Sequence, residues 1–202
     1  MEFRDVLARR RMHRNFRTDP VDRDAIERIA RTVRRAPSGG FSQGQSVVVV
    51  TEESLRKRIA EGFDEASYVA KGFPAFISTA PVQIVVCANE ALYHARYQEA
   101  DKLSDTGGVE ITWPVPYWFV DAGAAMMLIL LAAIDEGLAA AFVGHPDQEA
   151  FLRGLLRLPD DVVPIGVALV GHPAEDETSA TASSRLAGRR RPLADVVHWN
   201  AW

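Results

Sequence analysis

Cysteine is almost absent from this chain of 202 residues. Cys87 stands alone, which excludes an intramolecular disulfide and fits the reducing cytoplasm. Its place inside a run of strand-forming residues indicates a buried core thiol rather than a reactive one. A chain of this length buries enough surface to fold without disulfides, so we expect a cytoplasmic protein held together by its core.

Lysine is scarce as well, and arginine carries most of the positive charge. Lys57, Lys71 and Lys102 are the only lysines among 23 basic residues, and the net charge is -4. This acidic balance disfavours a general nucleic-acid binder, although clustered arginines can still form a local anion site. Such clusters lie at residues 9–17 and 189–191. We expect no nucleic-acid partner.

Long apolar runs and the common catalytic motifs are missing too. The longest apolar run, residues 122–134, is too short to cross a bilayer and reads as a buried helix, so no membrane partner is expected. The first residues are partly acidic and lack a signal-peptide core. G-x-S-x-G and H-E-x-x-H do not occur, and the five histidines show no metal-ligand spacing. Hydrolytic and metal-dependent chemistry are therefore disfavoured, and no metal site is predicted.

Runs of β-branched residues alternate with helical segments along the chain. The pattern predicts one α+β or α/β domain over residues 1–202. A polar stretch at about 89–116, rich in glycine and proline, is predicted to be a mobile, lid-like excursion. The predicted strands are 47–51, 82–88, 138–144 and 162–171, and the predicted helices are 2–11, 25–36 with Asp22 as its cap, 52–62, 117–137 and 148–158.

Residues 37–44, which we call the glycine loop, raise the question of a phosphate-binding P-loop. Gly39 to Ser46 has the P-loop spacing, but Gln45 stands where the lysine belongs. A P-loop follows a strand and opens a helix, whereas here a helix precedes the loop and a strand follows. A plain helix-to-strand connection is the simplest alternative. The loop's hydroxyl, amide and backbone groups nevertheless suit a planar polar ligand.

The arginine cluster at residues 9–17 also has two interpretations. A charge run is most often a solvated face, but arginine presents a planar fork of donors that matches phosphate oxygens. The second cluster, 189–191, could converge with the first on one anion. The four tryptophans, at positions 113, 118, 199 and 202, could pack against a flavin, a substrate or a partner subunit.

The order of these features resembles the FMN-dependent nitroreductase family. The segment RRRMHRNF leads through a helix into APSGGFSQGQ, then follow the helix VDAGAAMMLILLAAIDEGL, the strand VVPIGVALVGHP and the basic RRRPLADVVHW. The resemblance implies a three-layer α+β fold with a mostly antiparallel central sheet flanked by helices. It also implies a domain-exchanged homodimer with a C-terminal arm at about 185–202.

The resemblance further implies which residues bind FMN. No catalytic acid or base is expected, since the flavin carries the chemistry. The residues carried over to the phosphate and ribityl chain are Arg10, Arg14 and, as a weaker match, Arg11, with Arg190 and an assisting Arg189. Those carried over to the flavin ring are Pro37, Ser38, Gly39 and Gly40, with Phe142, Val143, Gly144 and His145 at its reactive edge. On the acceptor side we predict Phe41, Trp113, Tyr117 and Trp118.

The implied activity passes electrons from NADPH or NADH to an electron-poor acceptor by a ping-pong mechanism. Such an acceptor would be a nitroaromatic, a quinone or an activated alkene. Met12, Phe41 and Gln45 depart from the family pattern of serine, asparagine and Pro-Trp. Two alternatives stay open: a specialised enzyme on the same scaffold, such as a dimethylbenzimidazole synthase, a dehalogenase or a natural-product oxidase, and a flavin- or ligand-binding protein with little turnover.

Overall fold

The computed structural model describes residues 1–174 and 188–202. Its helices are short apart from one long central helix. They are α1 (Phe3–Arg9), α2 (Arg23–Arg31), α3 (Glu53–Gly62), α4 (Glu65–Ala70), α5 (Phe76–Thr79), α6 (Glu90–Tyr97), α7 (Ala100–Asp105), α8 (Tyr117–Asp135) and α9 (Gln148–Leu156). The strands are β1 (Gln45–Val50), β2 (Val82–Ala88), β3 (Ala139–Val143) and β4 (Val163–Gly171).

The four strands form one antiparallel sheet with the order β1-β2-β4-β3. β2 and β4 are therefore central, and every residue of β2 is buried. A β-bulge interrupts the pairing of β2 with β4 between Val86 and Cys87. The expected α+β class and the mostly antiparallel sheet are thus confirmed, while domain exchange stays a prediction.

Alternating side chains send the two faces of the sheet into two separate cores. On one face Ile84, Val86 and Ala168 pack with residues of α2 and α8. On the other face Cys87 and Leu169 pack with residues of α3, α5 and α9. This strict alternation is the period-2 pattern of a strand buried on both sides. Helices, sheet and helices give the three expected layers, and Cys87 is the predicted core thiol.

Helix α8 is the main element of the first core. It has 19 residues, longer than the apolar run 122–134 that marks it in the sequence, and by length and composition it could cross a membrane. Half of that span is buried inside the fold, as expected of a core helix. Gly137 follows it with a φ of 78°, the left-handed conformation that glycine supplies at helix ends.

The stretch predicted as a polar excursion is partly regular. It contains α6 and α7, and the Asn89 side chain caps α6 by accepting the Leu92 amide at 3.3 Å. The sequence did not predict these two helices, because helices this short take their stability from tertiary contacts rather than from a clear sequence period. The lid-like role of the excursion stays a prediction. At α2, Asp22 occupies the predicted cap position, but its side chain makes no capping hydrogen bond.

Candidate functional site

The glycine loop lies against the first turns of α8 and against α6. The backbone amide of Gly39 donates to Asp121 Oδ2 at 2.8 Å, and the Tyr93 hydroxyl donates to the same oxygen at 2.7 Å. A side chain built on Gly39 would meet the Tyr93 ring at 3.6 Å and Asp121 at 3.8 Å. The amide of Gly39 thus points into the protein, so a ligand on the outer face of the loop cannot take it.

The other predicted residues of the loop are tied to it from within. Ser38 Oγ accepts the Gln43 amide at 2.7 Å. The Gln45 side-chain amide donates to the Pro37 carbonyl at 2.5 Å. Gln45 therefore has a structural use here that explains its position in the sequence without a phosphate ligand, and the P-loop reading is not needed.

The tip of the loop faces outwards. Gly40 and Phe41 have φ angles of 59° and 62°, and the Gly40 carbonyl accepts Arg96 Nε at 2.9 Å. The Phe41 side chain is 73% exposed. A non-glycine residue in the left-handed region is uncommon, and an exposed aromatic ring there is well placed to contact a ligand or a second protein.

The segment that follows α1 runs beside β3. The His13 amide donates to the Ala140 carbonyl at 3.1 Å, and the Phe142 amide donates to Met12 Sδ at 3.3 Å. Met12 thus does what serine cannot do at this position: its long thioether packs into both cores and accepts a backbone amide.

The predicted phosphate-binding arginines share a lack of acidic partners. No carboxylate pairs with Arg10, Arg11 or Arg14 in the described part of the chain. Arg11 Nε donates to His13 Nε2 at 2.9 Å, and the Arg14 guanidinium lies 5.4 Å from the centre of the Phe73 ring. Several guanidinium groups without carboxylate partners fit an anionic ligand.

The residues predicted to face the reactive edge of the flavin lie at the end of β3 and beyond it. Val143 pairs with β4, the Phe142 amide is taken by sulfur, and the His145 amide donates to Gln148 Oε1 at 3.1 Å. Gly144 is exposed, and no side chain of the described residues takes its amide. A backbone donor to a ligand is therefore best sought at Gly144.

The sheet brings this region and the glycine loop to the same end. β1 begins there, and β3 ends there, because β1 is antiparallel to β2 while β2 and β3 are both antiparallel to β4. Three strand spacings separate the two edge strands, about 14 Å at roughly 4.8 Å per strand. Arg189 and Arg190 are exposed, and among the described residues no contact joins them to the first arginine cluster.

Three of the four predicted acceptor-side residues, all except Phe41, belong to an aromatic cluster. Its members are Tyr93, Tyr97, Trp113, Tyr117 and Trp118, and the Trp113 ring lies 4.5 Å from Tyr97 and 5.9 to 6.2 Å from the others. Tyr117 is 39% exposed, whereas Trp118 is only 9% exposed and belongs to the core. Trp113 and Tyr117 thus lie nearer the surface than Trp118, and the acceptor-side role of all three stays a prediction.

An ionic group supports the aromatic cluster from one side. His94 Nδ1 lies 2.5 Å from Glu110 Oε1 and its Nε2 lies 3.3 Å from Glu90, and these contacts raise the pKa of His94. Trp113 Nε1 donates to Glu110 at 2.8 Å. Hydrogen bonds from Trp113, His94 and Gln98 lower the pKa of Glu110 to about 2. His94 and Trp113 are therefore joined through the Glu110 carboxylate that both of them contact.

Sequence reasoning missed Asp121, Tyr93 and Arg96. The signal for Asp121 was present: with Trp118, Ala122 and Ala125 it lies on the buried face of α8 by helical spacing. In the sequence Asp121 was interpreted only as the polar residue that precedes the apolar run 122–134. Tyr93 and Arg96 give no such signal, because their partners lie far away along the chain.

Known proteins resemble this chain over most of its length. A protein of Archaeoglobus fulgidus with the provisional name NADH dehydrogenase/NAD(P)H nitroreductase is 28% identical over 98% of this chain and 97% of its own length. The FMN reductase [NAD(P)H] of Bacillus subtilis is 31% identical over 84% of this chain, a match that spans 65% of that enzyme. An NADPH-dependent oxidoreductase of Staphylococcus aureus is 26% identical over 94% of this chain and 69% of its own length.

Solved structures share the fold. A crystal structure from Parabacteroides distasonis matches with a TM-score of 0.72 at 24% identity and covers 100% of this chain and 99% of that one. NfrA1 of B. megaterium matches with a TM-score of 0.74 at 22% identity, over 100% of this chain and 75% of that one. The family model named Nitroreductase family matches residues 7–172, and the chain therefore belongs to the nitroreductase family.

Proposed function

We propose that this protein is an NAD(P)H-dependent oxidoreductase that uses FMN to reduce an electron-poor small molecule. Family membership is the observation that carries the proposal, and the names of the Bacillus and Staphylococcus relatives support the use of flavin and NADPH. The acceptor class is a nitroaromatic, a quinone or an activated alkene. Donor and acceptor would use the site in turn, the ping-pong order.

The residues present fit FMN. Arg10, Arg11 and Arg14 lack carboxylate partners within the described residues, so their charge is available to a phosphate. Gly144 is exposed beyond β3 and offers a backbone donor to a ring edge. The glycine loop presents Gly40 and the ring of Phe41 at the same end of the sheet.

When bound, FMN would accept a hydride from NAD(P)H and pass the electrons on. The chain's own work is then binding and orientation. The arginines would hold the phosphate, the Gly144 amide would hold one ring edge, and the glycine loop, with Phe41 on its acceptor side, would lie against the flavin ring. No side chain is assigned as an acid or base. The aromatic cluster, with Trp113 and Tyr117 towards the surface, would limit the acceptor to flat molecules.

We further propose that the protein acts as a homodimer in the cytoplasm. The outer face of α8 is apolar and exposed, with Val120 at 54% and Met127 at 44%. The predicted C-terminal arm is described from Gly188 onwards, its first residues lying outside the described part, and it exposes Trp199 at 84% and Trp202 at 98%. Contiguous apolar surface of this kind marks an interface in soluble proteins, and a second copy of the chain would cover both regions.

The visible spectrum of the purified protein tests the function. We expect flavin absorption near one FMN per chain, bleaching when NADPH or NADH is added without oxygen, and recovery when a nitroaromatic or a quinone follows. A colourless protein that takes up no added FMN would contradict the proposal. Bound flavin that stays oxidised would instead favour the two alternatives, a specialised enzyme on the same scaffold or a flavin-binding protein with little turnover.

A matched pair of variants tests the phosphate site. Arg10→Ala should weaken FMN binding about 10- to 100-fold, since a charge-assisted hydrogen bond contributes roughly 1.5–3 kcal/mol. Arg4→Ala removes an exposed arginine of α1 that has no assigned role, and it should leave the dissociation constant unchanged. Fluorescence titration with FMN measures both, and equal constants would remove Arg10 from the site.

A further inference from the structure

Asp121 is a buried carboxylate in an apolar helix. It is 5% exposed, and Asp121 and Gln83 are the two buried polar residues of the described core. Burying a carboxylate without partners is costly. Within the described residues its side chain accepts two hydrogen bonds, both from other elements and both on the same oxygen: from the Gly39 amide at 2.8 Å and from the Tyr93 hydroxyl at 2.7 Å.

Tyr93 links this carboxylate to the glycine loop a second time. Its side chain is fully buried, and burial together with the bond to Asp121 raises the pKa of its hydroxyl. The hydroxyl therefore stays protonated and donates to Asp121. Its ring also packs against the loop, since a Cβ built on Gly44 would lie 2.4 Å from it. Tyr93 thus joins Asp121 to the glycine loop through one hydrogen bond and one packing contact.

These bonds hold a backbone that would not take this shape alone. Gly40, Phe41 and Gln43 have φ angles of 59°, 62° and 54°. For the two non-glycine residues the left-handed region costs roughly 1–2 kcal/mol each, and such conformations persist only where the surroundings enforce them. Asp121 and Tyr93 supply that enforcement from the inner side, while Phe41 remains 73% exposed on the outer side.

We propose that Asp121 and Tyr93 are positioning residues for the flavin site: they fix the glycine loop in its left-handed conformation and so hold Gly40 and Phe41 against the cofactor. This role rests on the proposed function. Neither residue touches the flavin, because Asp121 faces the inner side of Gly39 and Tyr93 is fully buried. They hold the loop in one conformation before FMN binds, so binding does not have to restrict its conformational freedom.

Tyr93→Phe and Asp121→Asn test the role with little change in volume. Tyr93→Phe removes one oxygen and keeps the ring, so the fold should survive. We expect each variant to bind FMN at least ten-fold more weakly, and the circular dichroism of the bound flavin to change even at saturation, a readout that a merely structural role would not move. The control is Asp135→Asn, which alters an exposed carboxylate at the other end of the same helix.

Hydrogen exchange provides a measurement without variants. In the FMN-loaded wild type the Gly39 amide should exchange far more slowly than the amide of Gly107, a glycine outside the loop with open space around it. Equal exchange rates would contradict a stable hydrogen bond from Gly39 to Asp121. The outcomes separate the two proposals. A wild type that binds FMN, with variants of equal affinity and unchanged dichroism, overturns only the positioning role. A wild type that binds no FMN overturns the proposed function, and the positioning role with it.

Discussion

At the scale of single residues, the end of β3 depends on the absence of one side chain. Gly166 has a φ of 148°, and it pairs with Val86 beside the β-bulge. A Cβ built there would lie 2.2 Å from the Phe142 ring and 2.9 Å from the Val143 carbonyl. The Val143 carbonyl belongs to the backbone, so it cannot move aside as the end of a flexible side chain can. Gly166 therefore allows Phe142 to fold back over the sheet next to Gly144.

Gly166→Ala should destabilise the protein by about 1–3 kcal/mol, through overpacking and an unfavourable backbone conformation. Gly154→Ala is the matched control, since Gly154 lies inside α9 with open space around its Cβ position. It should stabilise the protein by roughly 0.5–1 kcal/mol through helix propensity. Urea unfolding of both variants measures the difference, and a neutral Gly166→Ala would show that Phe142 can move away.

At the scale of elements, ionic contacts join α6 to the segment before α8. His94 of α6 bonds to Glu110, and Glu110 bonds to Trp113. The pKa of His94 is raised from 6.5, chiefly by Glu110 and then by Glu90, so its contribution to stability is full below about pH 6.5 and is lost as the pH rises through the raised value. The pKa of Glu110 is lowered from 4.5 to about 2, so its contribution is full above about pH 4.5.

The stability that this ionic group provides should therefore be greatest between about pH 4.5 and 6.5. We expect the melting temperature of His94→Gln to fall furthest below that of the wild type near pH 5.5, and the gap to narrow above pH 7. Glu110→Gln should show its gap at pH 5.5 and lose it as the pH approaches 2. Thermal unfolding across this range measures both. A gap for His94→Gln of equal size at pH 5.5 and 8.5 would contradict the assignment.

The strands were the most predictable elements, and the short helices the least. All four strands lie within two residues of their predicted bounds, because runs such as VVVV and VQIVVCA are rich in β-branched residues and leave little choice. α4 to α7 were not predicted, since each has eight residues or fewer and depends on its packing.

The site was predictable only in part. The resemblance led to the glycine loop, the arginines and the residues after β3, but not to what holds them. Asp121 meets Gly39, 82 residues away, and Tyr93, 28 residues away. Such long-range partners leave no local pattern, so the inward orientation of the Gly39 amide could come only from the structure.

At the scale of the whole molecule, the described chain leaves apolar surface uncovered. The outer face of α8 is exposed, and so are residues 188–202 of the C-terminal arm. Each large apolar side chain kept from water contributes roughly 1.5–3 kcal/mol, so a second copy that covers both regions would be strongly favoured.

The wild type should therefore sediment with the mass of two chains at micromolar concentration. Met127→Lys places a charge on the exposed face of α8, where burial against a partner would be costly, and it should shift the protein towards the mass of one chain. Met127→Leu keeps the apolar surface and should remain a dimer. Analytical ultracentrifugation distinguishes these results, and a monomeric wild type would rule out the homodimer.

The strand order also sets the timing of folding during synthesis. Of the described strands β4 is the last to be made, yet it lies between β2 and β3, so the four-stranded sheet cannot close before Gly171 has left the ribosome. About 35 residues separate that point from the end of α8, which at 5–20 residues per second is a delay of roughly 2–7 s. During that interval only the half of the sheet formed by β1 and β2 covers α8, the most apolar of the described helices. The exposed helix is then a natural substrate for a chaperone.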